Sequence, residues 1–132
     1  MSRPHLSAQL VLFGLVGVTA MLVHMVVVWL LVEGVALAPL RANVAGFLVA
    51  FGVSYLGHDR LTFRGHGAET AAALPRFFLV ASLGFVVNQG AYALLLARFG
   101  PQRYLPLLGL VLVGVAALTF VLSRFWAFST PR

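Results

Sequence analysis

The residues able to do chemistry are few and sit at helical spacing inside long apolar runs. Asn43, Phe47, Ala50, Ser54 and His58 follow one another at intervals of four and three, which is one face of an α-helix. Ala81, Gly84, Asn88 and Tyr92 repeat that pattern further on, with Gln89 beside the face. His24 stands alone in the middle of the first apolar run, and Thr119 and Ser123 mark the end of the last. Such groups offer hydrogen bonds and little else. Converging inward, they would line a polar groove, although Ser, Thr and Asn also join membrane helices by hydrogen bonds worth about 0.6–2 kcal/mol each. Asn88 and Gln89, two adjacent amides, demand a protein interior or a wet cavity. His24 suits either a helix-packing contact or a proton-sensitive group.

Cations form the second set. All nine basic residues are Arg, against Glu33, Asp59 and Glu69, for a net charge of +6. Arg60 and Arg124 fall at the ends of apolar runs and Arg76 opens one. Arg124 has Ser123 as its polar neighbour and precedes Phe125, Trp126, Ala127 and Phe128, so it must snorkel to the headgroups or pair. No paired carboxylates, metal-spaced His cluster or phosphate loop is present, and Cys is absent. An enzyme is not expected, nor a cofactor or metal. Nucleic acid is not an expected partner, for want of a soluble basic face.

The elements that position these residues follow from composition. The 132 residues are 61% hydrophobic and 9% charged, with a mean hydropathy of +1.01. A crossing takes about 20 apolar residues, so the chain has room for four and almost no soluble mass. The apolar runs predict an all-α integral membrane protein, a single four-helix domain with helices at about 10–32, 42–62, 77–97 and 104–128. Residues 34–41, with Pro39, make a short turn, as do 98–103 with Pro101; the polar stretch 64–76 reads as the longest loop. The first run outlasts a signal peptide and is taken as an uncleaved crossing.

An even number of crossings puts both termini and the central loop on one side, with Arg3, Arg60, Arg64, Arg76, Arg124 and Arg132. Arg41, Arg98 and Arg103 fall on the other. By the positive-inside rule the termini are cytoplasmic, in a multi-pass cytoplasmic-membrane protein. Trp29 and Trp126 fit the outer and inner aromatic belts. The strong Arg bias and the lack of a mid-membrane carboxylate disfavour a small multidrug-type exporter.

The halves resemble each other. Gln9 to Phe63 and Arg76 to Phe128 are each a crossing, a Pro-containing turn and a second crossing. Gln9 and Gly17 match Arg76 and Gly84 in spacing, and His58-Asp59-Arg60-Leu61-Thr62-Phe63 aligns with Ser123-Arg124-Phe125-Trp126-Ala127-Phe128. Both halves enter from the same side, giving a parallel repeat of two helical hairpins.

These phrases carry a family resemblance. Arg76-Phe77-Phe78-Leu79-Val80 with Gly84 and Asn88, and the closing Ser123 to Phe128, resemble the GtrA-like family of small four-helix membrane proteins, with Ser123 where Asn is usual. The first-half phrase departs further, with His58 and Asp59 at the Asn and Arg positions. The resemblance implies a part in flipping polyprenyl-phosphate-linked monosaccharides to the outer leaflet for cell-surface polysaccharide synthesis. On that footing Arg60, Arg76 and Arg124 become candidates for the lipid phosphate, whose oxygens a planar guanidinium can bind in bidentate fashion. Asn43, His58, Asn88, Gln89 and Trp126 become candidates for the phosphate or sugar, and Asp59 the candidate partner of Arg124. Expected partners are the lipid-linked sugar, membrane lipids, a membrane glycosyltransferase and a second copy of the chain. The small-residue spacing at Gly46, Ala50 and Ser54 allows close helix approach and leaves room for a homodimer. A scaffold that supports a glycosyltransferase without transporting anything is the alternative.

Overall fold

The computed structural model describes residues 6–57, 60 and 67–122. Of these, 96% are helical, and no strand occurs among them. Four α-helices follow in order: α1 (Leu6–Val35), α2 (Pro39–Gly57), α3 (Gly67–Phe99) and, after a 3₁₀ turn at Pro101–Arg103, α4 (Tyr104–Leu122). Each contains a stretch long and apolar enough to cross a membrane: Leu10–Val35, Pro39–Gly57, Phe78–Phe99 and Pro101–Thr119. The shortest is 19 residues, which at about 1.5 Å per residue gives about 28 Å, close to the hydrocarbon thickness. The protein is a multi-pass membrane protein.

Its surface agrees. Val80 and Leu94 are 67% and 74% exposed, and large aliphatic side chains on every helix lie open in the same way. In water such a surface would aggregate; against lipid tails it costs nothing.

Two boundaries differ from the sequence expectation. α3 begins at Gly67 rather than near Phe77, so 67–76 are helix and not loop. Glu69, Gly67 and Pro75 give this stretch the composition of a connection, but Ala71, Ala72, Ala73 and Leu74 are strong helix formers and outweigh it. Pro75 sits inside the helix, at the cost of one backbone hydrogen bond. At the first turn, the loop shrinks to Ala36–Ala38: α1 runs on to Val35 and Pro39 opens α2, where a fixed φ and a missing N–H suit the first helical turn. α4 starts at Tyr104 as expected; residues 123–128 of its expected length lie outside the described residues.

The chain divides into two compact units, up to Ser82 and from Leu83. In the first, α1 and α2 form an antiparallel hairpin. α1 buries Val16, Ala20, His24 and Val28, one residue per turn, and α2 offers Ala42, Asn43, Gly46 and Ala50. With no hydrophobic force between helices in lipid, close van der Waals approach must hold them, and small residues permit it. A Cβ on Gly46 would lie 2.6 Å from His24 Cδ2, and one on Gly57 2.8 Å from Val16 Cγ1.

The second unit repeats the burial pattern with larger side chains. α3 buries Asn88, Tyr92 and Leu96 and α4 buries Tyr104, Leu107, Leu108 and Val111. Both hairpin turns begin with a left-handed residue, Ala36 (φ 55°) and Gly100 (φ 97°). Counted back from these, His24 and Asn88 each lie twelve residues earlier, and Val28 matches Tyr92. This register pairs Ala20, not Gly17, with Gly84. Ala42, Asn43 and Gly46 match Leu107, Leu108 and Val111 at the same offset that relates His58 to Ser123.

Candidate functional site

The most buried polar contact joins α1 to α2. His24, 5% exposed, donates from Nε2–H to Oδ1 of Asn43, 0% exposed, across 2.6 Å. A carboxamide oxygen can only accept, which places the proton on Nε2. Gly46, one turn beyond Asn43, leaves the space the imidazole occupies: a Cβ there would lie 2.6 Å from His24 Cδ2 and 3.1 Å from its Nε2. The sequence marked both residues and gave neither a partner. Nothing local links positions 24 and 43; only the length of the turn brings them level.

The second unit has a counterpart. Tyr92, fully buried, donates its hydroxyl to the Tyr104 carbonyl at 2.8 Å. That carbonyl lies at the start of α4. One turn before Tyr92 on the same face, Asn88 is 4% exposed, and Gln89 beside it is half-buried.

Along α2 the aromatic residues Phe47, Phe51 and Tyr55 form a ladder at intervals of four. Ring centroids lie 6.3 Å apart for Phe47–Phe51 and 6.4 Å for Phe51–Tyr55, and Phe78 of α3 meets Phe51 edge-on at 5.0 Å. The i, i+4, i+8 spacing is visible in the sequence, where Phe47 shares a face with Asn43, Ala50 and Ser54.

The candidate cations are distributed as follows. Arg60 is exposed, three residues past the end of α2. Arg76 lies within α3, its side chain outside the described residues. His58, Asp59, Arg124 and Trp126 also lie outside them, and with them the proposed Asp59–Arg124 pair. At the opposite end of the helices Arg41, Arg98 and Arg103 are exposed, and the Arg98 guanidinium sits 5.3 Å from the ring centroid of Phe99. No group of three His, Cys, Asp or Glu that could hold a metal occurs among the described residues.

Between α1 and α2, on the Arg60 side of the His24–Asn43 contact, lies a groove of about 260 Å³ lined by Leu12, Leu15, Val16, Thr19, Val53 and Gly57. Its single hydroxyl, on Thr19, is turned back to the Leu15 carbonyl at 2.7 Å.

The described residues hold four helices long and apolar enough to cross a membrane. The family described as GtrA/DPMS, transmembrane domain, matches residues 12–128, which takes in all four crossings and the residues between them. No curated protein and no solved structure matches the chain. The match over nearly the whole length shows that the chain belongs to the GtrA/DPMS transmembrane-domain family, a family involved in lipid-linked sugar translocation.

Proposed function

We propose that the protein flips, or assists in flipping, a polyprenyl-phosphate-linked monosaccharide from the cytoplasmic to the outer leaflet of the cytoplasmic membrane, for cell-surface polysaccharide synthesis. The observation that carries this is the family match over residues 12–128, in a family involved in lipid-linked sugar translocation. The physical task is to carry a phosphate and a sugar through hydrocarbon while the lipid chain stays in it. Arg60, Arg76 and Arg124 collect the phosphate at the cytoplasmic ends of the helices, by charge and by guanidinium geometry. His58, Asn88, Gln89 and Trp126 serve the headgroup, and Asp59 balances Arg124. Asn43 acts through its bond to His24, which holds the first hairpin in register. The protein is not an enzyme on this reading, its termini are cytoplasmic, and a second copy completes a path wide enough for the headgroup.

The scaffold reading has one observation in its favour. α3 starts at Gly67, well before its crossing begins at Phe78, so about three helical turns stand clear of the hydrocarbon where a glycosyltransferase could hold them. One experiment decides between the two. Purified protein in liposomes receives a polyprenyl-phosphate monosaccharide, and sugar exposed on the far leaflet is measured with an impermeant oxidant. Translocation above protein-free liposomes supports the flippase; none, with a glycosyltransferase retained by the same protein, supports the scaffold.

A further inference from the structure

The groove between α1 and α2 has a chemistry that narrows its occupant. Gly57 closes tightly against Val16, and beside that contact the hairpin leaves a hollow lined also by Leu12, Leu15, Thr19 and Val53. Val16 is the buried floor, and Leu15 and Thr19 are exposed at the rim. With the Thr19 O–H already donated to Leu15, the lining offers a ligand carbon and one acceptor oxygen but no side-chain donor. A phosphate entering it would lose its hydration with no donor to replace it, and a sugar would find one acceptor for its several hydroxyls, which disfavours a headgroup. An apolar chain loses nothing.

A cation stands at the mouth. Gly57 is both a wall of the groove and the last residue of α2, and Arg60 follows three residues later. Three residues span at most about 11 Å, whatever their conformation. The ligand this pairing fits is therefore a single apolar chain ending in a phosphate.

We infer that the α1–α2 groove seats the phosphate-proximal isoprene units of the polyprenyl chain, with Arg60 holding the phosphate that follows them. This inference rests on the proposed function for the identity of the lipid and adds to it a place for the chain. The groove anchors the lipid beside the hairpin so that only the headgroup must travel. It also gives the protein a means of preferring a methyl-branched chain over the straight acyl chains around it, by contact of the branches with the Leu, Val and Thr side chains of the wall.

The test is photolabelling of the full-length protein in nanodiscs by geranylgeranyl phosphate carrying a diazirine on its phosphate-proximal isoprene. Expected are adducts on Leu12, Leu15, Thr19 or Val53, displaced by unlabelled geranylgeranyl phosphate and not by hexadecyl phosphate. Filling the groove with Leu15→Trp or Thr19→Phe should lower labelling several-fold, because the added ring takes the space the isoprene would occupy. Leu22→Trp, on the exposed surface of α1 away from the groove, should not. Arg60→Gln should weaken labelling by the phosphate and leave labelling by the matching diazirine alcohol unchanged. Adducts confined to other helices, equal competition by hexadecyl phosphate, or indifference to both groove-filling variants would each overturn the inference. Labelling does not require transport, so a protein that labels in the groove but moves no sugar defeats the flippase reading alone. One that moves sugar equally well with the groove filled defeats the groove alone.

Discussion

His24 of α1 and Asn43 of α2 share a 2.6 Å hydrogen bond at the most tightly closed point of the first hairpin, directly over Gly46. The contact combines the two forces available to helices in lipid, close packing and polar pairing. Truncating either residue removes this bond from a dry interior. In a cycle of His24→Ala, Asn43→Ala and the double variant, the coupling should be about 0.6–2 kcal/mol, the range for interhelical bonds in membranes. Unfolding of each variant by denaturing detergent measures it. Additive losses would show that the pair contributes packing only.

Gly46 should be intolerant where a neighbouring glycine is not. An added methyl would sit 2.6 Å from His24 Cδ2 and 3.0 Å from Val28 Cγ2. The ring cannot swing aside without leaving Asn43. Gly46→Ala should cost about 1–3 kcal/mol, as overpacking of a filled interior does. Gly52, on the same helix, has nothing within 4 Å of the added carbon. Gly52→Ala should gain about 0.5–1 kcal/mol from helix propensity. The same detergent titration reads both, and equal effects would contradict the packing described.

The two turns predict changes of opposite sign. Ala36 occupies φ 55°, where a side chain costs about 1–2 kcal/mol, so Ala36→Gly should be stabilising by about 0.5–1 kcal/mol after the entropy of glycine is deducted. Gly100 has φ 97° and ψ 146°, a region close to exclusive to glycine, and Gly100→Ala should cost about 1–3 kcal/mol. Thermal unfolding monitored by helix circular dichroism distinguishes them.

The four crossings were legible because apolar length is a one-dimensional property, and Pro39 and Pro101 mark turns by chemistry that needs no partner. The start of α3 was misread because Glu69, Gly67 and Pro75 suggest a loop, while the Ala71–Ala73 run that holds the helix is neither amphipathic nor long. The partner of His24 was illegible for a different reason. Residues 24 and 43 meet through the turn geometry at Ala36–Ala38, and a loop of one residue more would have presented another face of α2. The repeat was visible, but its register in the first crossings was taken from Gly17 and Gly84, residues that mark no fixed depth. The left-handed positions at Ala36 and Gly100 do.

Orientation is open to a direct check, since the chain has no cysteine and single thiols introduced into it will be unambiguous. Ala36 and Gln102 are exposed in the two short turns, and Ala68 begins the α3 extension. If six of the nine arginines hold their side in the cytoplasm, Ala36→Cys and Gln102→Cys should react with an impermeant maleimide in intact cells. Ala68→Cys should react only after permeabilisation. The reverse pattern would invert the topology and with it the direction of flipping proposed.

On the proposed function the arginines divide into those that only set topology and those that also meet phosphate, and salt should separate them. Arg60 and Arg98 are both exposed, Arg60 past the C-terminal end of α2 and Arg98 in the last turn of α3. A phosphate captured by a guanidinium gains a charge-assisted bond worth about 1.5–3 kcal/mol, so Arg60→Gln should lower half-saturation affinity for the lipid-linked sugar about tenfold or more. Arg60→Lys keeps the charge without the planar fork and should fall between. The defect should shrink as ionic strength rises, because an exposed pair is screened within about 10 Å at 0.1 M salt. Arg98→Gln should leave initial rates of inward-to-outward flipping unchanged, since the proposed topology puts its cation where the phosphate would arrive rather than where it would be collected. Initial rates in proteoliposomes over a range of lipid concentration give both affinity and turnover. If Arg60→Gln and Arg98→Gln behaved alike at every salt concentration, the cation at the end of α2 would be a topology signal and nothing more.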